Sequence, residues 1–255
     1  MHTQAEKARA FARLHVKGNP LVLHNIWDAG SAKAIAETGA VAVATGSWSV
    51  AAAQGYADGE NIPLDLLATI IENIVRAVDL PVSVDIEGGY GRDAAALHHT
   101  AERVIDAGAI GINFEDQLVG GDGIYCTEEQ AARIAMIRGT ASERNIPLFI
   151  NARTDLFLQS KGASEHPGLL EATVERAHAY HDAGASGLFV PGLIDEALIA
   201  QLCDASPLPV NIMMMQGAPD ISRLATLGVS RISYGPLPYV VAMQKLRDFA
   251  AGIAE

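Results

Sequence analysis

The sequence predicts an α/β chain folded as a (β/α)8 TIM barrel, and three observations carry that expectation. About eight short, β-rich apolar runs alternate with Ala-, Glu- and Arg-rich helical segments from one end to the other. The runs are nearly continuous in Val, Ile and Leu, as strands covered on both faces must be. No break in composition divides the 255 residues, so residues 1–255 read as one barrel domain, a length barrels commonly reach.

The strands are expected at Leu21–Ile26, Ala40–Ser47, Pro81–Glu87, Ile110–Glu115, Leu148–Arg153, Gly187–Pro191, Pro209–Met214 and Arg231–Tyr234. Helices such as Ala94–Ala107 and Thr127–Arg144 lie between them. Asp106-Ala107-Gly108-Ala109-Ile110 shows a recurring junction, in which glycine supplies the left-handed turn that closes a helix before a strand begins. Pro81, Pro147 and Pro209 open other strands, where a missing N–H is tolerated. An open doubly wound sheet is the alternative. No Gly-x-Gly-x-x-Gly follows the first strand, however, and no Gly-rich lysine loop occurs.

Thirty acidic residues against 18 lysines and arginines give a formal charge of −12 and a pI near 5.0. Such a surface repels phosphate backbones and anionic lipid, so neither nucleic acid nor membrane is expected as a partner. An anionic substrate would need a locally positive pocket. No apolar stretch approaches the roughly 18–20 residues of a membrane span. The charged start, with Glu6, Lys7, Arg9 and Arg13, does not resemble a signal peptide. Cys126 and Cys203 follow no metal-binding spacing and read as reduced thiols, which places the chain in the cytoplasm.

Side chains two apart on a strand share a face, and barrel chemistry gathers at the C-terminal strand ends. The third strand thus directs Asp85 and Glu87 to the mouth, and the fourth puts Asn113, Glu115 and Gln117 on one face. The fifth gives Asn151 and Arg153, with Asp155 just beyond; Ser47 ends the second strand, and Asn211 lies in the seventh. Three buried carboxylates at one level repel one another unless a cation joins them. Oxygen-only donors suit a hard ion, Mg²⁺ or Mn²⁺. Arg153 would offer its planar fork to a substrate carboxylate. The competing reading is an internal salt-bridge layer between Arg153 and the acids. His24 reads as a core histidine, while His98, His178 and His181 read as surface residues. Met213, Met214 and Met215 read as core filling. Tyr234-Gly235-Pro236 ends the last strand, where barrels often bind phosphate, but nothing basic accompanies it.

From about Asn19 to Val241 the chain resembles the isocitrate lyase / phosphoenolpyruvate mutase superfamily. The motifs are Asn25-Ile26-Trp27-Asp28-Ala29, Thr45-Gly46-Ser47, Gly55-Tyr56-Ala57-Asp58-Gly59, Val84-Asp85-Ile86-Glu87-Gly88-Gly89-Tyr90-Gly91, Phe114-Glu115-Asp116-Gln117 and Asn151-Ala152-Arg153-Thr154-Asp155. Their order and spacing carry the match. The resemblance implies making or cleaving a C–C or P–C bond beside a carboxylate, through an enolate-like species with Mg²⁺. It makes Asp85, Glu87 and Glu115 the metal-site acids, several acting through water. Gly46, Ser47 and Trp48 become the loop that binds the substrate carboxylate, Arg153 the substrate-binding arginine and Asp58 a loop carboxylate beside the site. It also implies a homotetramer exchanging a C-terminal helix, here Tyr239–Ala254.

Two features depart from the family pattern. Glu87 stands where aspartate is usual. The loop Gln117–Cys126 lacks the Lys-(Lys or Arg)-Cys-Gly-His signature of the isocitrate and methylisocitrate lyases, as well as the lysine and Asn-Ser arrangement of the mutases. The expectation is therefore a Mg²⁺-dependent lyase acting on a small anionic 2-oxo or 2-hydroxy acid. Asp58 and Arg153 would be catalytic, with Gly46, Ser47, Trp48, Arg153 and Asn211 binding substrate. Oxaloacetate decarboxylation or phosphonopyruvate hydrolysis is the alternative within enzymes, and a catalytically silent dicarboxylate-binding barrel the alternative outside them.

Overall fold

Short apolar runs pair in parallel around the whole chain, and each is followed by a helix that covers it. The computed structural model describes residues 2–252; Ala254, at the end of the tail expected to be exchanged, lies outside them. The strands are β1 (Leu21–Leu23), β2 (Asn25–Ile26), β3 (Val43–Thr45), β4 (Val82–Asp85), β5 (Gly111–Glu115), β6 (Phe149–Arg153), β7 (Gly187–Phe189), β8 (Val210–Met213) and β9 (Arg231–Ser233). They form one nine-stranded sheet in the order β1-β9-β8-β7-β6-β5-β4-β3-β2. β1 and β2 are two parts of one strand interrupted at His24. One part pairs with β9 and the other with β3, so the sheet curls into a (β/α)8 barrel.

The helices are α1 (Gln4–Arg13), α2 (Ala29–Ala36), α3 (Ser47–Ala53), α4 (Leu64–Ala77), α5 (Ala94–Asp106), α6 (Thr127–Glu143), α7 (His166–Asp182), α8 (Glu196–Ala205), α9 (Ile221–Thr226) and α10 (Leu237–Ala250). α4 shows why they adhere to the sheet: Leu67, Ile70, Ile71 and Ile74 recur at helical spacing and are all buried. Among the described residues, no helix is long and apolar enough to cross a membrane.

α1 lies across the N-terminal mouth of the barrel. Thr3 and Glu6 form a reciprocal capping box at its start. Its Phe11 is fully buried and meets Phe149 edge-on at 5.3 Å, in a cluster with Leu21, Leu23, Ala42, Ala44 and Ile110. At the far end of the chain, Tyr239 on α10 packs edge-on against Trp27 and Trp48, at 5.0 and 5.8 Å. α10 buries none of its residues, and Leu246 and Phe249 are 60% and 75% exposed.

Two sequence expectations need correction. The second strand spans only Val43–Thr45, and Ser47 opens α3 instead of ending the strand. His24 is not a core residue: it interrupts the first strand, is exposed and stacks on Tyr234 at 4.8 Å.

The turn after β4 sets the shape of the mouth. Glu87, Gly89 and Tyr90 all have positive φ (50°, 96° and 56°), a costly arrangement for side-chain-bearing residues. A Cβ on Gly89 would stand 2.5 Å from Leu97 Cδ2 and 2.9 Å from Phe114 Cε2. Gly89→Ala is therefore expected to destabilise the protein by about 1–3 kcal/mol. At roughly 2–4 °C per kcal/mol in a chain of this size, calorimetry should show a clear fall in Tm. An unchanged Tm would mean that this turn relaxes freely.

Candidate active site

The strand register assembles the polar residues. β4 pairs Asp85 with Asn113, and β5 pairs Asn113 with Asn151 and Glu115 with Arg153. Asp85, Asn113 and Arg153 line a cavity of about 220 Å³ at the C-terminal strand ends, together with Ser47, Trp48 and Asp58. A larger hollow of about 620 Å³ lies at the other end of the barrel, between α1 and residues such as Val41 and Pro81 that precede strands. Barrel chemistry belongs to the C-terminal face, and the smaller cavity holds the convergent charges.

Asp85 Oδ1 accepts the Glu87 N–H at 3.0 Å, while the Asp85 N–H donates to Thr45 Oγ1 at 2.9 Å. Glu87 Oε2 accepts the N–H groups of Gly59 and Glu60 at 2.7 and 2.8 Å. That clasp ties the loop carrying Asp58 to the end of β4. In return Glu60 Oε1 accepts the Tyr90 N–H at 2.8 Å. Burial, then the charges of Asp58 and Asp85, push the Glu87 carboxyl up to about 8. Burial also raises Asp85, against the pull of Arg153. Glu115 is raised well above the usual carboxylate range by burial, again opposed by Arg153.

Arg153 is the counterweight. Its Nη1 lies 2.8 Å from Glu115 Oε2, while Nε and Nη2 donate to Asp155 Oδ1 and Oδ2 at 2.6 and 2.9 Å. Burial works against its charge, but Glu115 and Asp155 overcome this and raise its pKa. The bidentate fork expected to hold a substrate carboxylate is thus occupied by Asp155. These contacts leave roughly two of the five guanidinium N–H groups for a ligand.

Asp155 is held in turn by Asp116. Asp116 Oδ1 accepts the Asp155 N–H at 3.0 Å; its Oδ2 accepts Arg176 Nη1 and the Tyr180 hydroxyl at 3.1 and 3.0 Å. Sequence reading passed over Asp116 because strand alternation turns it away from the mouth, toward α7. Its signal was an acid directly after an apolar strand, with Arg176 and Tyr180 one helical turn apart on a later helix. Arg231 was also missed. It is fully buried, with Nη2 3.4 Å from Asn113 Oδ1. Burial pushes its pKa down to about 9, against the pull of Asp85.

Gly46 is the N-cap of α3, whose first intrahelical bond runs from the Val50 N–H to the Gly46 carbonyl. The N–H groups of Ser47, Trp48 and Ser49 precede that bond, and these residues line the cavity. Asn25 fastens the seam of the barrel, donating to the Thr45 carbonyl and accepting the Tyr234 N–H, both at 3.0 Å. Asn211 was expected in the substrate wall, but it is fully buried, two residues below the lining residue Met213, and accepts Ser233 Oγ at 3.3 Å. Glu87 and Glu115 stand behind the wall, and Gln117 borders a separate small hollow with Glu60 and Arg92.

The donor chemistry fits a hard divalent ion. All the nearby acids are oxygen donors, and Asp85, Glu87 and Glu115 are each raised by burial and by neighbouring negative charge, a condition that a cation relieves. Among the described residues, no three His, Cys, Asp or Glu side chains converge closely enough to chelate an ion on their own.

The sequence profile of the phosphoenolpyruvate phosphomutase family matches residues 11–254. The chain is 34% identical over 251 residues to an uncharacterized protein of Mycobacterium tuberculosis H37Rv, covering 96% of this chain and 89% of that one. It is 32% identical over 211 residues to the 2-methylisocitrate lyase of Escherichia coli K12, covering 79% and 68%. The crystal structure of a provisionally named phosphonomutase from Burkholderia cenocepacia J2315 superimposes with a TM-score of 0.95 at 48% identity, covering 98% and 99%.

The raised Glu87 carboxyl makes a stability prediction. In metal-free protein the folded state keeps this proton up to about 8, whereas the unfolded chain releases it near 4.5. The folded state binds more protons across that window, so stability falls as pH rises through it. Calorimetry in chelator should show a lower Tm at the top of the window than at pH 6, with Glu87→Gln removing much of the difference. If the mutant's pH dependence matched that of the wild type, Glu87 would not be the titrating group.

Proposed function

Because the chain belongs to the phosphoenolpyruvate phosphomutase family, we propose that it is a Mg²⁺-dependent lyase that breaks a C–C or P–C bond in a small 2-oxo or 2-hydroxy acid through an enolate. The observation that carries this reading is the meeting of Asp58, Asp85 and Arg153 in one cavity at the C-terminal mouth, beside the first turn of α3. Backbone N–H groups of Ser47 and Trp48 and the remaining N–H groups of Arg153 bind the substrate carboxylate. Asp58, exposed on its loop and lining the cavity, holds and moves the proton. Asp85, with Glu87 and Glu115 behind it, would hold Mg²⁺, which when bound supplies positive charge at the oxygen where negative charge develops.

Oxaloacetate decarboxylation and phosphonopyruvate hydrolysis remain variants of the same chemistry; a relative from Paraburkholderia xenovorans is named oxaloacetate decarboxylase. Cleavage of isocitrate or 2-methylisocitrate is not expected. The segment 117–126 has no lysine, arginine or histidine, and Cys126 is exposed at the start of α6, outside the cavity lining. A thiol outside the cavity lining, in a segment that carries no cationic side chain of its own, is poorly placed to protonate a dianionic product. The meeting of Asp58, Asp85 and Arg153 in one cavity speaks against a silent dicarboxylate-binding barrel. The assembly that accompanies this reading is a cytoplasmic homotetramer exchanging α10.

Enolate formation can be tested without knowing the natural substrate. With Mg²⁺ in D₂O, the protein should exchange the C3 protons of pyruvate, followed by NMR. EDTA should stop the exchange and Mn²⁺ restore it. Asp58→Asn should slow it about 100-fold or more, and Asp85→Ala should reduce it to background with the circular dichroism unchanged. Exchange that persists undiminished in chelator would end the metal-dependent reading.

A further inference from the structure

The cavity has two unlike halves. β3 to β6 bring every charged lining residue, whereas β7, β8 and β9 bring none. Residues 187–194, 210–219 and 232–244, which carry those last three strands into the mouth, contain no Lys, Arg, His, Asp or Glu. In their place the cavity meets Phe189, Pro191, Met213 and Pro236 beside the uncharged Ser233 and Gly235, joined by Leu158 from the segment after β6 and Trp48 from α3. Barrels that hold a phosphate usually do so on the loops after the seventh and eighth strands, and here those loops are uncharged. Among the described residues Arg153 is the one cation in the lining, and Glu115 and Asp155 already share it. A second anionic group on the substrate would face these uncharged side chains without a counter-charge.

We propose that the substrate is a 4-hydroxy-2-oxo acid whose fourth carbon bears an uncharged, apolar arm, cleaved by a retro-aldol reaction to pyruvate and an aldehyde. The inference rests on the enolate-forming reading given above. Decarboxylation requires a second carboxylate and P–C cleavage a phosphonate, and the β7–β9 half suits neither. When the departing fragment is neutral and the carbanion is a 2-oxo-acid enolate, the departing fragment is a carbonyl compound. Asp58 takes the proton of the C4 hydroxyl. The C3–C4 bond breaks, its electron pair forms the C2–C3 double bond, and the C2 oxygen takes the charge. C4 leaves as the aldehyde carbon. The proton then passes from Asp58 to C3, which yields pyruvate with no other reactant consumed. A cavity of about 220 Å³ is small beside the roughly 300–1,000 Å³ of drug-sized sites, so the arm is a short alkyl or single-ring group.

The protein with Mg²⁺ is assayed for pyruvate release from 4-hydroxy-2-oxohexanoate and from 4-hydroxy-2-oxoglutarate, which differ in carrying an ethyl or a carboxylate-bearing fourth carbon. Oxaloacetate and phosphonopyruvate are run beside them. The ethyl compound should lead in kcat/KM by at least about ten-fold. Leu158→Arg, at a position 41% exposed and so tolerant of arginine, should shift the ratio toward the carboxylate compound by about ten-fold. Equal or better turnover of any dianionic substrate by the wild type, or an unchanged ratio in Leu158→Arg, would overturn the proposal. Pyruvate C3 exchange is recorded on the same samples. Exchange without cleavage of the ethyl compound would overturn the substrate class and leave the enolate reading standing; no exchange would overturn both.

Discussion

Arg153 sits between Glu115 and Asp155 at the mouth of the barrel, and that contact governs the arrangement of everything around it. Four acids, Asp58, Asp85, Glu87 and Glu115, crowd the same quarter of the ring, and in the described structure this guanidinium is the cation in the wall that answers them. Removing one partner of a buried ion pair commonly costs about 3–5 kcal/mol, so the chain must hold Arg153 firmly. It does so at one remove. Asp116 on the outer face of the strand end fixes the Asp155 backbone, while Arg176 and Tyr180 on α7 fix Asp116. A helix on the outside of the barrel thereby sets the position of a charge on the inside.

The left-handed turn after β4 serves the same quarter. Positive φ at Glu87 swings its carboxylate away from the direction that strand alternation gives and onto the Gly59 and Glu60 N–H groups. Asp58, one residue before Gly59, is consequently delivered to the cavity by a clasp instead of by its own side-chain contacts. Backbone strain there is offset by the two hydrogen bonds and by Glu60 closing back on Tyr90. The long side chain of Glu87 suits this reach: it makes the clasp from behind the wall, leaving Asp85 as the carboxylate that borders the cavity from β4.

How far the sequence could be read depended on the kind of contact. Val/Ile/Leu runs located all the strands, because a strand covered on both faces has little freedom in composition. Period two placed Asp85, Asn113 and Arg153 on the inner face, which the structure brings together. Alternation, however, gives a face and not a depth, so Asn211 was set in the wall when it lies beneath it. Nor does alternation show which carboxylate receives an arginine fork; Asp155 was visible two residues from Arg153, but its prior claim on the guanidinium was not. Asp116 escaped because its partners come from α7, some 60 residues later. His24 escaped because the interruption of the first strand leaves no mark in an otherwise apolar run.

The concentration of charge on neighbouring strands has a consequence for the rest of the mouth. Ion pairs act over a few ångströms, so their partners must come from nearby elements, here β4, β5 and β6 with the segment after β6. The strands opposite are released from that duty, and the sequence fills their ends with Phe189, Met213 and Pro236. Below both halves lies Arg231, fully buried and touching Asn113. Its positive charge is held close enough to Asp85 to feel it, yet outside the cavity lining, where no ligand competes for it. A fixed cation thus lies beneath the mouth and a shared one beside its acids, while the side across from them is uncharged. That asymmetry is written into the strand order itself.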